Sequence, residues 1–203
     1  MLRVGLTGGY ATGKSFVAAE FERLGCKLIY ADKLGHEVLL PAGEGHAPAV
    51  ALFGREILGQ DGEIDRKKLG ELVFARPDLL KKLTEIVHPA VYRLEAQLIS
   101  AYRREDPRAI VVTEAAILIE TDRYKTFDRL VVTICSEKTQ IDRGMKRDHL
   151  TREEIAERLK QQMAAIEKPK YAHYVVNTDH PKAETAAHVK DIFEELKILA
   201  AKT

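Results

Sequence analysis

The sequence has few cysteines and no excess of charge of either sign, and both absences exclude classes of protein. Its two cysteines, Cys26 and Cys135, lie far apart and match no metal or redox spacing. We therefore expect them to be reduced and buried as small hydrophobic residues, as in a cytoplasmic protein. The 32 Lys and Arg residues nearly balance the 31 Asp and Glu residues, so no net positive field favours nucleic acid or a membrane surface.

Long apolar runs and targeting signals are also missing from the chain. No run reaches the roughly 20 apolar residues that a membrane-spanning helix needs. The first residues lack the charged start, apolar core and small-residue cleavage site of a signal peptide. We therefore expect a cytoplasmic location, no membrane or nucleic-acid partner, and a monomer or small homo-oligomer. The 203 residues, 45% of them hydrophobic, suit one globular domain with a sizeable core, with or without an insertion.

Short apolar segments alternate with helical patterns along the chain. A first helix is predicted at residues 14–24, where apolar residues recur at helical spacing and Gly25 ends the pattern. Strands alternating with helices indicate a parallel sheet that is covered on both faces. The five predicted strands lie at residues 2–7, 26–30, 109–114, 129–134 and 174–177.

About eighty residues separate the second and third predicted strands, far more than a βαβ crossover needs. We predict an inserted helical region at residues 41–106, with Pro89 in the first turn of its last helix. The helical segments predicted after the second strand are 32–40, 65–74, 77–87 and 89–104, with a Pro- and Gly-rich bend at 41–48.

A second helical region, at residues 136–167, follows the fourth predicted strand. Ser136 and Thr151 are predicted helix N-caps, and Thr151 has the capping-box partner Glu154 three residues later. A bend is predicted near Asp148 and His149. Such a hinged helix pair could close over an anionic ligand, since it carries Arg143, Arg147, Arg152 and Arg158. The remaining segments, residues 1–40, 107–135 and 168–203, are predicted to form the nucleotide-binding core.

The most specific motif is GLTGGYATGKSF at residues 5–16, which matches G-x-x-x-x-G-K-[ST] between a predicted strand and a predicted helix. Glycines let successive backbone N–H groups point inward, and the helix N-terminus adds its positive dipole end, so the turn binds polyphosphate. Lys14 supplies an ammonium to the β- and γ-phosphates of ATP, and the Ser15 hydroxyl supplies a ligand for Mg²⁺. The alternative is an incidental glycine-rich turn. The predicted nucleotide contacts in this stretch are Gly8, Gly9, Ala11, Thr12, Gly13, Lys14, Ser15 and, through its backbone N–H, Phe16.

Other nucleotide-binding classes lack their motifs here. The chain has no N-K-x-D guanine motif, no transporter-ATPase signature loop and no apolar strand ending in paired Asp-Glu. The remaining features indicate a small-molecule kinase. We therefore predict an α/β fold of the P-loop kinase type, three-layered α/β/α, with a five-stranded parallel sheet, an inserted helical substrate-binding region and a helical lid.

Further segments follow the glycine-rich turn in a characteristic order and spacing: LIYADKLGHEVL, DGEIDRKKLGELVF, IVHPAV, AAILIE, TQIDRGMKRD, RLKQQM and YVVN. Together with that turn, they resemble the dephospho-coenzyme A kinase family over nearly the whole chain. The resemblance implies transfer of the ATP γ-phosphoryl group to the 3′-hydroxyl of dephospho-CoA, the last step of CoA biosynthesis. The sequence departs from the family pattern at Tyr10, Ala11, Tyr30 and Asp179.

The resemblance also implies roles for individual residues. Asp32 becomes the general base, and its place just after the second strand, where open parallel sheets bind ligands, agrees with this. The alternative for Asp32 is a helix N-cap. Arg147 is assigned to the transferring phosphates and Arg143 to adenine stacking or phosphate contact, with solvated surface arginines as the alternative.

Other residues are weaker candidates for contacts with the substrate, the nucleotide or the metal ion. His88 and Arg66 are assigned to the CoA-side substrate, against a structural histidine and an exposed helix charge. Asn177 is assigned to the nucleotide site, although Asp179 replaces the glycine that the family usually has two residues later. Another pair, Glu114 and Glu120, follows the third strand and is assigned either to water on Mg²⁺ or to a structural role.

Two other functions remain open from the sequence. One is a nucleoside monophosphate kinase of the same architecture. The other is a nucleotide-dependent switch whose phosphate-binding turn regulates a partner, which would hydrolyse ATP slowly and without an acceptor.

Overall fold

The computed structural model describes residues 1–74, 76–160 and 162–202. Gln161, which belongs to one of the segments of the family resemblance, lies outside these described residues. The strands are β1 (Leu2–Gly8), β2 (Lys27–Tyr30), β3 (Ile110–Glu114), β4 (Arg129–Ile134) and β5 (Tyr174–Asn177).

These strands form one five-stranded sheet in the order β2-β3-β1-β4-β5. β1 pairs in parallel with β3 and with β4, and β4 pairs in parallel with β5. The predicted α/β fold, its five strands and its parallel sheet are therefore confirmed. The central strands are buried on both faces, as in covered parallel sheets, and this explains why they read as apolar runs rather than alternating patterns.

Eight α-helices occur in the described residues. They are α1 (Lys14–Arg23), α2 (Ala31–Glu37), α3 (His46–Phe53), α4 (Arg66–Phe74), α5 (Pro77–Glu105), α6 (Glu137–Asp148), α7 (Arg152–Lys160) and α8 (Lys182–Ala200). Within the part of the chain that is described, none of the helices is both long enough and apolar enough to cross a membrane.

The chain divides into two compact units. The first comprises Met1–Ile29 and Tyr102–Thr203, and the second comprises Tyr30–Ala101. In the first unit α1 and α8 pack together, and Val17, Phe21 and Leu196 on these helices are fully buried. The second unit has its own apolar core, formed by Ala49, Phe53, Ile57, Ile64, Leu69 and Val73.

Two details of the inserted region differ from the sequence prediction. Pro89 does not begin a helix, because α5 runs through it for 29 residues. A proline inside a helix removes one backbone hydrogen bond, and the amphipathic stripe on both sides of Pro89 continues the helix regardless. The predicted bend at 41–48 was also too long, since α3 begins at His46 and includes Pro48 in its first turn, a position that proline tolerates.

The predicted ends of the helices after β4 are confirmed. The Ser136 hydroxyl accepts a hydrogen bond from the Thr139 backbone N–H at 3.3 Å and caps α6. Thr151 and Glu154 form a reciprocal capping box, with bonds of 2.8 and 3.3 Å. His149, at the predicted bend, adopts a left-handed conformation with φ of 55° and ends α6.

A buried lysine fixes the segment that follows α7. The Lys168 side chain is 0% exposed, and its Nζ donates to a Glu120 carboxylate oxygen at 2.7 Å. The same carboxylate oxygen accepts from the Met163 backbone N–H at 3.2 Å. Of the two roles left open for Glu120, this geometry favours the structural one.

We expect Lys168→Met to destabilise the protein by about 3 kcal/mol, because removing one member of a buried ion pair leaves the other charge uncompensated. The free energy of unfolding in urea measures this. Lys170→Met is the matched control, since Lys170 pairs with Glu167 on the surface and exposed pairs contribute about 0–1 kcal/mol. Equal losses in the two variants would contradict the structural role of Lys168.

Candidate functional site

The conformation of the loop between β1 and α1 depends on Gly8 and Thr12, which both pack against Thr133 of β4. A Cβ atom on Gly8 would overlap Thr133 Oγ1 and lie 2.6 Å from the Thr133 carbonyl oxygen, so only glycine fits there. Thr12 is fully buried; its hydroxyl donates to Gly9 O at 2.8 Å and contacts Thr133 Oγ1 at 2.8 Å. The Thr12 side chain therefore supports the loop from below.

The upper side of this loop offers hydrogen-bond donors. The backbone N–H groups of Ala11, Gly13 and Ser15 donate to no acceptor among the residues that the structure describes. They lie at the N-terminus of α1, where the helix dipole is positive. This is the arrangement that binds phosphate in nucleotide-binding loops.

Lys14 and Ser15 add the charge and the oxygen that the motif predicts. Lys14 Nζ donates to Gly8 O at 3.0 Å and to Gly9 O at 2.9 Å, so the ammonium lies against the loop. Ser15 is exposed in the first turn of α1. No group of three or more His, Cys, Asp and Glu side chains that could hold a metal occurs among the described residues. Ser15 nevertheless fits Mg²⁺, since this ion typically takes only one or two protein ligands beside nucleotide phosphates and water.

The Ala11 backbone adopts the left-handed conformation, with φ of 55°, which residues other than glycine rarely adopt. We expect Ala11→Gly to stabilise the protein by about 0.5–1 kcal/mol: relief of the left-handed strain exceeds the entropy that glycine adds to the unfolded chain. Denaturant midpoints measure the change. Ala19→Gly, at an exposed position in α1, is the control and should destabilise by about 1 kcal/mol. Destabilisation by both variants would contradict strain at Ala11.

Arg143 joins α6 to the residue that follows β5. Its Nη1 donates to Thr178 Oγ1 at 2.8 Å, and its Nη2 donates to Thr178 O at 2.6 Å. Nη1 also lies 3.4 Å from Ala11 O in the loop between β1 and α1, residues 9–13, which we call the phosphate loop. The guanidinium is therefore held between the loop and the end of β5, where an adenine or phosphate contact remains a prediction.

Asp179 makes a second connection between the same segments. Its carboxylate accepts from the Ser136 backbone N–H at 2.7 Å and from the Ser136 hydroxyl at 3.2 Å. A hydrogen bond from the Thr139 side chain is the main cause that lowers the pKa of Asp179. Asn177, the predicted nucleotide contact, accepts from the Asp179 N–H at 2.9 Å. The departure from glycine at this position thus has a structural reason, because Asp179 binds the start of α6.

Arg147 is held by its neighbour Asp148, for which the sequence predicted only a place near a bend. Its Nε and Nη2 donate to the two carboxylate oxygens of Asp148 at 2.8 and 2.9 Å. Asp148 also accepts a hydrogen bond from the Tyr10 hydroxyl. The pKa of Asp148 is held far below its usual range, first by the Arg147 hydrogen bond and then by that of Tyr10.

A cavity of about 590 Å³ lies in the first unit between the phosphate loop and the helices after β4. Gly9 of the loop, Gln140 of α6 and Leu159 of α7 line it, together with residues 162–166. Arg143 and Arg147, the two arginines assigned roles from the sequence, both lie on α6. This helix contacts the phosphate loop, which carries several of the predicted nucleotide contacts.

Asp32, Arg66 and His88 belong to the second unit. Asp32 is exposed in the first turn of α2. The N-cap of α2 is Tyr30, so the alternative that Asp32 serves as the N-cap is wrong. His88 lies on α5 with its ring tilted against Tyr92 at a centroid distance of 5.8 Å.

A histidine one turn beyond Asp32 connects it with Arg66. Arg66 Nη1 lies 3.3 Å from His36 Nδ1. The pKa of His36 is lowered, mainly by burial and then by Arg66, while Asp32 acts in the opposite direction. The three side chains therefore share one neighbourhood, and the i to i+4 spacing of Asp32 and His36 was the available sequence signal.

Comparisons with known proteins agree on one family. A sequence model described as dephospho-CoA kinase matches residues 2–184 of this chain. The dephospho-CoA kinase of Geobacter metallireducens is 41% identical over 195 residues, which cover 96% of each protein. That of Aquifex aeolicus is 39% identical over 196 residues, covering 97% of this chain and 98% of the relative.

Solved structures agree with the fold. A crystal structure of a Thermus thermophilus protein superposes with a TM-score of 0.82 at 30% identity, covering 96% of this chain and 97% of the other. The dephospho-CoA kinase of Campylobacter jejuni superposes with a TM-score of 0.65 at 24% identity, over 96% of each chain, and this match supports the fold alone. With its phosphate-binding loop and its near full-length similarity to curated relatives, the chain belongs to the dephospho-CoA kinase family.

Proposed function

We propose that this protein is an ATP-dependent kinase that phosphorylates the 3′-hydroxyl of dephospho-CoA to give CoA. The phosphate loop carries the proposal, because its backbone N–H donors, the N-terminus of α1 and the Lys14 ammonium beside it are the kinds of group that bind polyphosphate. The identity of the acceptor, dephospho-CoA, is inferred from the family to which the chain belongs.

Phosphoryl transfer proceeds through a loose transition state, so the protein mainly positions the reactants and neutralises charge. The loop N–H groups and Lys14 would hold the β- and γ-phosphates, and Arg147 would approach them from the lid. The Ser15 hydroxyl would hold Mg²⁺, and the bound ion would supply positive charge beside the phosphates. The acceptor oxygen forms a bond to the γ-phosphorus as the bond to the β–γ bridging oxygen breaks, and ADP leaves.

The acceptor hydroxyl must lose its proton during this transfer. Asp32 would accept it, because an exposed carboxylate beyond the carboxyl end of β2 is at the edge where open parallel sheets bind ligands. The neighbouring Arg66, which contacts His36, supplies a cation suited to the pyrophosphate of dephospho-CoA. His88 remains a proposed contact for the same substrate.

The decisive experiment measures ADP release from ATP and Mg²⁺ with dephospho-CoA, with a panel of nucleoside monophosphates and with no acceptor. We expect release to depend on dephospho-CoA, with 3′-phosphorylated product. Turnover of a monophosphate alone would indicate a nucleoside monophosphate kinase. Slow release that no acceptor increases would indicate a nucleotide-dependent switch.

A cytoplasmic location also belongs to this proposal, and the two cysteines support it because neither forms a disulfide.

A further inference from the structure

Tyr10, in the phosphate loop, is bound by the lid segment 136–167 through its polar groups. Its backbone N–H donates to Gln162 Oε1 at 2.9 Å, and its carbonyl oxygen accepts from Gln140 Nε2 at 2.6 Å. Its hydroxyl donates to Asp148 at the end of α6. One loop residue therefore contacts the beginning and the end of α6 and the segment after α7.

The Tyr10 ring also lies beneath two lid arginines. The guanidinium carbon of Arg147 is 5.1 Å from the ring centroid, and that of Arg158 is 5.8 Å from it. These distances suit cation–π attraction. Arg158 Nη1 additionally lies 3.8 Å from Asp148 Oδ2, so Asp148 connects Tyr10 with both cations.

The lid backbone is shaped to accept this ring. A Cβ atom on Gly144 would lie 2.8 Å from Tyr10 Cε1 and 2.9 Å from the Tyr10 hydroxyl oxygen. Glycine at this position of α6 therefore lets the helix approach Tyr10. The contact has matched features on both sides, the loop tyrosine and the lid glycine.

The orientation of Arg147 follows from these contacts. Its Nε and Nη2 are engaged by Asp148, and its face lies over the Tyr10 ring. A guanidinium fixed along one edge presents its opposite edge, which carries Nη1, in a defined direction. The ring beneath it belongs to the phosphate loop, so these contacts fix the orientation of Arg147 relative to that loop.

We propose that Tyr10 is a positioning residue, which acts through Asp148 and through its ring to hold Arg147 in the orientation that stabilises the transferring phosphoryl group. The inference rests on the proposed kinase activity. Tyr10 itself does not contact the reacting atoms. The Tyr10 hydroxyl holds the Asp148 carboxylate in place, and this carboxylate in turn holds the Arg147 guanidinium.

A double-mutant cycle on Tyr10 and Arg147 tests this inference. Tyr10→Phe should lower kcat for dephospho-CoA about tenfold, the scale of one hydrogen bond to a charged group, while KM for ATP stays within about twofold. In an Arg147→Met background the same substitution should have no further effect on kcat. Unchanged kcat in Tyr10→Phe, or losses that multiply in the double variant, would overturn the inference. Tyr171→Phe, which removes the hydroxyl of a tyrosine that packs on Tyr124, is the control and should leave kcat unchanged.

Hydrogen exchange of the ligand-free protein gives a readout that requires no turnover. Tyr10→Phe should accelerate amide exchange in the second half of α6 and in α7 about tenfold, because a hydrogen bond that closes the lid is lost. Tyr171→Phe should not. Exchange rates equal to wild type in Tyr10→Phe would overturn the inference. Failure of the kinase proposal would appear separately, as absent turnover of dephospho-CoA by the wild-type protein.

Discussion

Replacing Lys14 with methionine should lower kcat for dephospho-CoA phosphorylation by about 10³-fold or more, the scale of a cation that stabilises the transferring phosphoryl group. Methionine keeps the length of the side chain and removes the ammonium that lies 2.9–3.0 Å from the Gly8 and Gly9 carbonyl oxygens. The same assay of ADP release measures kcat. Calorimetry with a non-hydrolysable ATP analogue should show weakened binding as well, since Lys14 is proposed to contact the nucleotide already in the ground state.

The control for this variant is Lys190→Met, which removes an exposed ammonium from α8 and should leave both kcat and nucleotide affinity unchanged. Unfolding temperatures distinguish loss of charge from loss of fold. If folded Lys14→Met retained a tenth or more of the wild-type kcat, the assignment of the phosphate loop as the catalytic nucleotide site would be wrong.

Replacing Asp32 with asparagine should lower kcat by about 10²- to 10⁴-fold, the contribution of a positioned general base. The amide has nearly the same shape, but it cannot accept the proton of the acceptor hydroxyl. KM for ATP should remain close to wild type, because the proposed nucleotide contacts lie on the phosphate loop and not beside Asp32. Initial rates at saturating ATP and dephospho-CoA measure the change.

Asp78→Asn is the matched control for Asp32→Asn, because Asp78 is also an acidic residue in the first turn of a helix, α5. A structural effect of removing such a carboxylate should appear in both variants as reduced stability. Only the Asp32 variant should lose kcat. Full activity of Asp32→Asn would refute the general-base assignment and leave the phosphate loop assignment intact.

The strands were predictable because the sheet is buried on both faces. A run such as residues 129–134 must be apolar at nearly every position to be covered by helices, and it coincides with β4. The helix ends after β4 were predictable for a local reason, since a capping box joins residues only three apart. The error at Pro89 has the opposite origin. The local rule that proline begins a helix was outweighed by the apolar face along the whole of α5.

The phosphate loop was also a local prediction, since its motif occupies one short stretch of chain. The residues around Arg147 were not, because the hydrogen bond between Tyr10 and Asp148 spans 138 positions and nothing in the spacing of either residue indicates it. The same holds for Asp179 and Ser136, which are 43 positions apart. Sequence patterns therefore predict the groups proposed to bind phosphate. The groups proposed to orient them come together only through contacts between distant parts of the chain.

The paired connections of Arg143 and Asp179 have a mechanical consequence. Thr178 accepts a hydrogen bond from the guanidinium of Arg143 on α6, and Asp179 accepts one from Ser136 at the N-terminus of the same helix. Two adjacent residues therefore anchor the first part of α6. A helix anchored at two points cannot swivel about its start. If the segment 136–167 acts as a lid, we expect its motion to increase along α6 and to be largest beyond the left-handed residue His149, so that α7 swings while the start of α6 stays with the core.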